Sequence, residues 1–485
     1  MSDSLWNSKT LKLWNSLFAF TLGREWKLSL AELIAIFGRE SYCEHAETIA
    51  IFEIRGWSDE QIVKRFLTIG GTIRVMKVIS DTDMKRFPTD VITLIKGKNN
   101  TEGKNTFALG SYGIEFPVSN IGLRIKKTLQ EDGLSVRLVN TENKNIVSAV
   151  FKRERLAKSQ TEYNLLVLTP TSEKDAVAKP IARDVTIFLA VTLACQDIDA
   201  YTRRDTGKSR DMVVGMMPPK LVQMMLNIAT QQSNQESVIS DQNGTKKNNT
   251  LLSDNCKLQT ANSTALRAVY DPFCWLGTTL IEAANMGITR IYGSDLSPEM
   301  VAASKQSLAA FIKEEMIWQE RILAVGGTPN KDLSKFESDI FQLDAKKVKD
   351  APMFQSNSNL PAPYRHSTNL SIISEWYLGE MMSPRDITLD RVQSERRKLA
   401  SLYADFFSGL TLAKFRGNIV MSFPFWNIHG VYSYFIEIYD VLEKNGFEVI
   451  DLLPGDMHLN TRKWSLLYRR ENQTVGREIV KIVRR

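Results

Sequence analysis

The segment from Asp271 to Asp295 constrains the fold more than any other part of this 485-residue chain. An apolar run ends in Asp271, a short turn leads into a helical pattern, and a second apolar run ends in Asp295. This order predicts a βαβ unit whose parallel strands carry both acids at their carboxyl ends. Open α/β sheets bind ligands at that edge, and the spacing of the two acids suits a carboxylate that accepts hydrogen bonds from ribose hydroxyls.

Only one glycine, Gly277, lies in the turn between the first strand and the helix. A pyrophosphate site needs three glycines, because the backbone must approach the phosphates closely at a helix N-terminus. The turn therefore favours a nucleoside that carries a cation, a description that S-adenosyl-L-methionine fits. Because βαβ units also occur in many proteins that bind no nucleoside, this pattern alone does not identify a function.

The residue types in this turn are more specific than their spacing. The runs Asp271-Pro272-Phe273-Cys274, Gly277-Thr278 and Leu280-Ile281-Glu282-Ala283-Ala284 resemble motif I of the amino-methyltransferases that modify guanine N2 in RNA. The resemblance implies an α/β fold with a Rossmann-like class I methyltransferase sheet and S-adenosyl-L-methionine as cofactor. The family usually has glycine where this chain has Trp275. The cofactor-binding residues that the resemblance implies are Asp271, Phe273, Cys274, Gly277, Thr278, Asp295, Leu296 and Asp344.

The next elements of the sheet follow the second strand. Ser297 before Pro298 predicts a helix N-terminus, and the helix over 299–323 is expected to pack on the sheet through one apolar face. Residues 339–345 are expected to form the third strand and its exit. By the resemblance, Asp344 lies near the adenine amine; the alternative is a loop acid that caps the next turn.

The end of the predicted fourth strand, over 369–379, carries Ser374-Glu375-Trp376-Tyr377. The family has Asp, Asn or Ser there, then two prolines and an aromatic residue, and both prolines are absent from this chain. An exocyclic amine is a poor nucleophile because its lone pair is delocalised, so the site must accept its hydrogen bonds and align it with the methyl group. All four residues are predicted to be catalytic, with Glu375 as acceptor and Tyr377 stacked on the base. The alternative is a strand end with an aromatic plug and a solvated glutamate.

Composition excludes several classes of protein. Hydrophobic residues make up 43% and charged residues 24% of the chain, which is typical of a globular protein, and the length predicts more than one domain. No apolar run reaches the roughly 18 residues of a membrane span, and no secretion signal is recognised. The four cysteines and four histidines lack metal-ligand spacing, so we expect no metal and a reducing, cytoplasmic location.

The formal net charge of +7 is distributed in clusters. Basic clusters on separate elements suit a polyanion that is contacted at several phosphates, whereas any single cluster is usually a solvated face. Further basic residues lie near 208–210 and 462–470. The predicted RNA-binding residues are Lys126, Lys127, Lys152, Arg153, Arg155, Arg203 and Arg204.

The first half of the chain predicts smaller α/β units. Strand and helix patterns alternate from Phe18 to Ile79, and residues 22–33 and 69–74 resemble the N-terminal domain of tRNA guanosine N2-methyltransferases. Residues 107–152 resemble a THUMP domain, an RNA-binding module. A capping box is expected at Ser29 and Glu32. The predicted domains are 1–95 (ferredoxin-like α+β), 96–180 (THUMP-like), 181–230 (linker helices), 231–264 (flexible polar insertion) and 265–485 (Rossmann-like methyltransferase).

The C-terminal part is expected to complete the sheet. A buried strand is predicted over 417–425 and a helix over 432–444. Residues 447–453 and 464–470 are expected to form an antiparallel pair at the edge of the sheet, as methyltransferases of this type have.

The resemblance implies an S-adenosyl-L-methionine-dependent tRNA methyltransferase that forms N2-methylguanosine at the tenth nucleotide. One alternative is an adenine-N6 methyltransferase that acts on DNA or ribosomal RNA, and another is a catalytically inactive RNA-binding protein. An NAD enzyme is disfavoured by the single turn glycine. Some eukaryotic relatives need a small activating subunit, which the sequence does not indicate.

Overall fold

The computed structural model divides into two compact units, Met1–Arg203 with Pro454–Thr461, and Arg204–Leu453 with Arg462–Arg485. The predicted insertion over 231–264 lies outside the described residues. The described residues are 16–98, 105–168, 185–206, 217–229, 268–324, 336–355, 370–380, 382–455, 457, 464–471 and 473–485.

The first unit is built on one eight-stranded sheet with the order β2-β3-β1-β4-β8-β7-β5-β6. Its strands are β1 (Leu17–Leu22), β2 (Tyr42–Ala46), β3 (Ile49–Glu53), β4 (Thr72–Asp81), β5 (Asn105–Tyr112), β6 (Val136–Leu138), β7 (Glu162–Leu168) and β8 (Thr186–Cys195). The helices of this part are α1 (Trp26–Phe37), α2 (Asp59–Phe66), α3 (Phe87–Gly97), α4 (Val118–Glu131), α5 (Ser148–Arg153), α6 (Leu156–Ser159) and α7 (Ile198–Thr206).

The first six elements, β1-α1-β2-β3-α2-β4, have the chain order of a ferredoxin-like βαββαβ unit, and their strands lie in the order β4-β1-β3-β2. The expected ferredoxin-like unit is therefore present, with one strand, β2, that the sequence pattern had not indicated. Within Tyr42–Ala46, Cys43 is exposed, Tyr42 and Glu44 are half-buried, and the last two residues are both buried, so the strand lacks a regular alternation.

Strand β8 occupies the middle of this sheet, between β4 and β7. It lies in the range 181–230, where only linker helices were expected, and it joins the strands of 1–95 and 96–180 into one sheet. Six consecutive residues of β8 are buried, from Leu189 to Ala194. A central strand that is covered on both faces lacks the alternation that identifies a half-exposed strand, which explains why the sequence did not reveal it.

The expected capping box at Ser29 and Glu32 does not form. Helix α1 begins three residues before Ser29, so that the Ser29 hydroxyl donates to a backbone carbonyl one turn earlier, at 3.2 Å. The fully buried Glu32 carboxylate instead accepts the backbone amides of Gly70 and Gly71 at 2.8 and 2.7 Å. A Cβ at Gly71 would lie 2.6 Å from the Ser29 hydroxyl, so this close approach requires glycine.

The second unit contains a nine-stranded sheet, and its main path is β11-β10-β9-β12-β13-β17-β15. The strands are β9 (Ala268–Asp271), β10 (Arg290–Asp295), β11 (Glu337–Gln342), β12 (Leu370–Glu375), β13 (Ile419–Ile428), β14 (Val431–Tyr434), β15 (Phe447–Ile450), β16 (Ser465–Tyr468) and β17 (Val475–Arg484). The helices are α8 (Pro219–Ala229), α9 (Thr278–Asn285), α10 (Pro298–Ala324), α11 (Leu389–Leu412) and α12 (Glu437–Lys444).

Strands β9 to β13 pair in parallel, and β17 lies antiparallel to β13. When the seven strands of the main path are numbered 1 to 7 in chain order, from β9 to β17, their order in the sheet is 3-2-1-4-5-7-6, and the seventh strand is reversed. This is the order of a Rossmann-like class I methyltransferase sheet, as predicted. The chain winds outward from β9 to β11 and then returns to the other side of β9 as β12. The carboxyl ends of β9 and β12 therefore border the topological switch point, where open α/β sheets bind their ligands.

Two details of the C-terminal part differ from expectation. The range 432–444 contains strand β14 before helix α12, rather than one helix. Strands β15 and β16 do not pair with each other, because each pairs with β17, a strand that the sequence pattern had not indicated. Strand β17 carries Arg477, Glu478 and Lys481, which are no more than 4% exposed, and these charges mask its buried character in the sequence.

Lys481 and Asn418 hold the C-terminal end of helix α8. The Lys481 ammonium donates to the Ile228 carbonyl at 3.2 Å, and the Asn418 amide donates to the Ala229 carbonyl at 2.9 Å. These bonds satisfy carbonyls that have no partner within the helix. Burial lowers the pKa of Lys481 from the ordinary lysine value of 10.5 to about 7.

We expect Lys481→Met to change how stability depends on pH. The unfolded chain keeps this lysine protonated up to about pH 10, whereas the folded protein releases the proton near pH 7, so that the unfolding free energy of the wild type rises with pH in between. The unfolding free energy of the wild type should rise by up to about 1.4 kcal/mol per pH unit more than that of the variant. Denaturant unfolding at several values between pH 7 and 10 measures this, and Lys444→Met, at an exposed helical position, is the control. Parallel curves for the wild type and Lys481→Met would contradict the assignment.

Candidate active site

A hydrogen bond joins the carboxyl ends of the first and fourth strands of the second sheet. The Ser374 hydroxyl, at the end of β12, donates to Asp271 Oδ1, at the end of β9, over 2.7 Å. The Phe273 amide donates to the same oxygen at 3.1 Å. Burial raises the pKa of Asp271 to about 6, while hydrogen bonds from Ser374 and Thr279 oppose this rise.

Asp295, at the end of β10, accepts two backbone amides of the surrounding loops. Its Oδ2 accepts from Trp275 at 3.1 Å, and its Oδ1 accepts from Ser297 at 3.0 Å. The Ser297 hydroxyl in turn accepts from the Met300 amide, which confirms the predicted N-cap of α10. A carboxylate has about four lone-pair positions, so these two bonds leave Asp295 able to accept a further donor.

The turn after Asp271 keeps a glycine-type backbone although it contains Trp275. The φ angle of Trp275 is +47° and that of Gly277 is +82°, both in the left-handed region. Ser304 Oγ donates to the Trp275 carbonyl at 2.5 Å, and the Gly277 amide donates to the Cys274 carbonyl at 2.6 Å. The position where the resembling family has glycine thus has the conformation that favours glycine, and hydrogen bonds on both sides of Trp275 hold it there.

Asp271 and Asp295 form a pair of carboxylates whose partners are neutral donors. Burial is the main cause that raises the pKa of each, and the charge of Asp295 raises that of Asp271 further. Neither carboxylate has an ion-pair partner among the residues that the structure describes. The two strand ends therefore carry negative charge that is available to stabilise a cation in a ligand.

Behind the turn, a buried polar cluster fixes helix α9. Glu282 is fully buried and accepts from Arg204 Nε at 2.8 Å, from Gln223 at 2.9 Å and from Asn285 at 3.4 Å. This corrects the expectation that Arg204 contacts RNA phosphates, because its side chain is only 9% exposed and is paired with Glu282. Arg204 is the first residue of the second unit, and its bond to Glu282 fixes helix α9 within that unit.

Trp376 packs in the core of the second unit. Its ring stacks on Tyr403 at 4.0 Å between centroids and contacts Phe273 at 4.2 Å and Phe406 at 4.5 Å. Because Trp376 is only 1% exposed, it cannot touch a substrate in this conformation. The structure therefore agrees, for this predicted catalytic residue, with the alternative interpretation of a core aromatic residue at the strand end. Tyr377, the next residue, is 38% exposed, so its ring is accessible at the strand end.

Glu375 is nearly buried and forms an ion pair with an arginine. Its Oε1 lies 2.5 Å from Arg477 Nε on strand β17, and the two side chains are 10% and 5% exposed. Burial raises the pKa of Glu375, and the Arg477 charge opposes the rise. The sequence offered no signal for Arg477, because its partner lies 102 residues away and strand β17 was not expected.

The remaining predicted cofactor residues differ in accessibility. Cys274 and Thr278 are buried, and Phe273 is half-buried. Leu296 is 66% exposed beside Asp295, where it can contact a flat ring. Asp344 is half-buried, and its Oδ1 caps the next turn by accepting the Lys346 amide at 3.0 Å. The alternative role for Asp344 is thus observed, and its Oδ2 has no partner among the described residues.

Most of the predicted RNA-binding residues form local ion pairs. Lys152 lies 3.1 and 2.9 Å from Asp197 and Asp199, and Arg153 lies 3.2 Å from Glu154. Lys126 is half-buried and lies on helix α4 beside the exposed Lys127, which is 3.9 Å from Glu131. Arg155 and Arg203 lie at the start of α6 and on α7. The residues at 208, 210, 462 and 463 lie outside the described residues.

No group of histidine, cysteine or acidic side chains in the described part of the chain has the geometry of a metal site. Among the helices whose residues are described, none combines the length and the hydropathy that a transmembrane segment requires.

No protein-family model matches the chain, and no curated protein has a matching sequence. Among solved structures, TrmN from Thermus thermophilus is similar over 97% of this chain and 99% of its own, with 14% identity and a TM-score of 0.42. A possible methylase from Clostridium difficile 630 is similar over 96% and 97%, with 10% identity and a TM-score of 0.41. Magnesium protoporphyrin IX methyltransferase from Synechocystis PCC 6803, with bound SAM, covers 45% of this chain and 69% of its own, with 17% identity and a TM-score of 0.21. Since these scores are below 0.5, the fold assignment rests on the strand order.

We expect Trp275→Gly to be more stable than Trp275→Ala. Both variants lose the indole, but glycine adopts a φ of +47° without the strain that alanine retains. The difference in unfolding free energy should be about 1 kcal/mol in favour of glycine. The same pair of substitutions at the exposed helical residue Glu443 should show the reverse order, because alanine favours helix. Denaturant unfolding compares all four variants, and equal stability at position 275 would refute the strain.

Proposed function

We propose that this chain is an S-adenosyl-L-methionine-dependent RNA methyltransferase that forms N2-methylguanosine in tRNA, with the tenth nucleotide as its target. The observation that carries the proposal is the pair of carboxylates at the switch point. Asp271 and Asp295 lie at adjacent strand ends of a methyltransferase-type sheet and are bound by neutral donors. A nucleoside that carries a sulfonium matches both the place and the charge.

The residues at this edge fit the cofactor. Asp295 keeps acceptor capacity beyond its bonds to the Trp275 and Ser297 amides, which suits ribose hydroxyls. The exposed side chain of Leu296 provides an apolar surface for adenine, and the remaining oxygen of Asp344 can accept its amine. The buried carboxylate of Asp271 would lie nearest to the cationic part of the cofactor. The turn around Gly277 would contact the methionine part.

Guanine N2 needs an acceptor and a fixed orientation, because its lone pair is delocalised into the ring. Glu375 would accept a hydrogen bond from the amine, Tyr377 would stack on the base, and Ser374 would hold Asp271 in place. A sulfonium-bound methyl group is already electrophilic, so no metal is required. When the new N–C bond forms, the C–S bond breaks and its electron pair stays on the sulfur, which becomes a neutral thioether. The nitrogen then gives one proton to Glu375.

The first unit is proposed to bind tRNA through its THUMP-like part, which spans β5 to β7. The exposed residues Lys127 and Arg153 of this part, and Arg203 on helix α7, would contact phosphates. Lys127 and Arg153 would exchange their present acidic partners for these phosphates. The target guanine must leave its stack to reach the switch point. Adenine N6 presents the same amine chemistry, so the identity of the base is decided by experiment.

We expect Asp295→Asn to bind S-adenosyl-L-methionine at least about 10-fold more weakly, because hydrogen bonds to a charged acceptor are worth about 1.5–3 kcal/mol each. Isothermal titration calorimetry measures the affinity. Glu337→Gln removes an exposed acid that pairs with Arg290 at the opposite end of the sheet, and it should bind as the wild type does. The absence of any binding heat with the wild type would leave only an RNA-binding protein.

We expect the purified protein to transfer a tritiated methyl group from the cofactor to unmodified tRNA. Digestion to nucleosides and chromatography should recover the label as N2-methylguanosine. A tRNA with adenosine at the tenth position is the matched control, and it should accept little label. Label recovered only in adenosine would overturn the guanine assignment, and label in guanosine elsewhere would overturn the position.

A further inference from the structure

We infer that Arg477 is a positioning residue of the methyl-transfer site, which holds Glu375 through one oxygen and leaves the other oxygen for the amine of the target base. The inference rests on the proposed function and extends it to a residue on the antiparallel strand β17. It is carried by the strand register, the contacts of the two Glu375 oxygens, and the burial of the pair.

The strand register places both side chains on the same face of the sheet. Glu375 of β12 lies opposite Ser422 of β13, and Pro424 of β13 lies opposite Arg477 of β17. Partners across strands point to the same face, and so do residues two apart along one strand. Glu375 and Arg477 therefore project from one face, and the long arginine side chain reaches across β13 to the end of β12.

The two oxygens of Glu375 have different surroundings. Oε1 lies 2.5 Å from Arg477 Nε. Oε2 has no hydrogen-bond partner among the described residues, but it is not one of the fully enclosed polar atoms that lack a partner. Since the Glu375 side chain is 10% exposed, Oε2 keeps contact with the solvent at the strand end. The pair is thus arranged with one oxygen bound and one oxygen available.

The charge of Arg477 favours the ionised form of Glu375, in which the available oxygen is an acceptor. Burial raises the pKa of Glu375, and the nearby Arg477 opposes this rise. Without the guanidinium, more of the carboxyl would be protonated at neutral pH, and a protonated carboxyl cannot take up the proton that the amine releases. Among the described residues, Tyr403 of α11 also faces Glu375, and its pKa is raised by burial and by the Glu375 charge.

The other buried charges of β17 have different partners. Glu478 accepts from the Tyr439 hydroxyl at 3.1 Å, and Lys481 donates to the Ile228 carbonyl. Within the described residues, Arg477 has no ion pair other than that with Glu375. A purely structural pair would stabilise the strands without affecting catalysis, so the test must separate stability from the chemical step.

The test compares wild type, Arg477→Gln and Arg477→Lys in single-turnover methylation of tRNA across pH 5 to 9. Arg477→Gln should lower the rate at pH 7 at least about 10-fold and move the acid limb of its pH profile upward by about one unit or more, because an opposite charge at this distance shifts a carboxyl pKa by about 1–3 units. Arg477→Lys keeps the charge but not the planar guanidinium, and should recover part of the rate with a smaller shift. Affinity for S-adenosyl-L-methionine, measured by calorimetry, should stay within about twofold of the wild type by this account.

Arg484→Gln is the control, because Arg484 lies on the same strand and contacts Phe447, away from Glu375. It should leave the rate and the pH profile unchanged. The inference is overturned if folded Arg477→Gln keeps the wild-type rate and acid limb, or if Arg477→Lys shifts the limb as far as glutamine does. If Arg477→Gln does not fold, the Arg477→Lys result decides alone. A wild type that binds cofactor but methylates no RNA refutes the proposed function instead.

Discussion

The candidate site depends on the hydrogen bond between Ser374 and Asp271, which joins the ends of the first and fourth strands where the direction of winding reverses. At a switch point the segments that follow the two adjacent strands leave in opposite directions, and the pairing of β9 with β12 ends at Tyr270 and Ile372. The bond keeps the two tips together and holds a buried carboxylate in a fixed orientation. The two strand ends that border the candidate site therefore have a fixed separation.

Local departures from the resembling family are accommodated by neighbouring hydrogen bonds. Trp275 occupies a backbone conformation that favours glycine, and Ser304 and Asp295 bind its carbonyl and its amide. Glu375 stands where the family has proline, and Arg477 compensates its charge. In both cases the unusual residue and its support come from distant parts of the chain, which is why a motif alone describes the site incompletely.

The sequence predicted those features that local spacing determines. The βαβ unit and the N-cap at Ser297 both depend on neighbours within a few residues. It missed strands β8 and β17, since a strand buried on both faces or rich in paired charges lacks alternation. It also misplaced Glu32 and Arg204, because their partners lie 38 and 78 residues away.

The position of β17 has a consequence for how the chain folds. This strand follows β15 and β16 in sequence, yet it lies between β13 and β15 in the sheet. While the protein is being synthesised, β13 therefore presents a bare, strongly apolar edge until the segment 475–484 has left the ribosome. Such an edge can recruit other nascent polypeptides, so rapid capture by a chaperone would protect this protein more than one whose sheet grows in chain order.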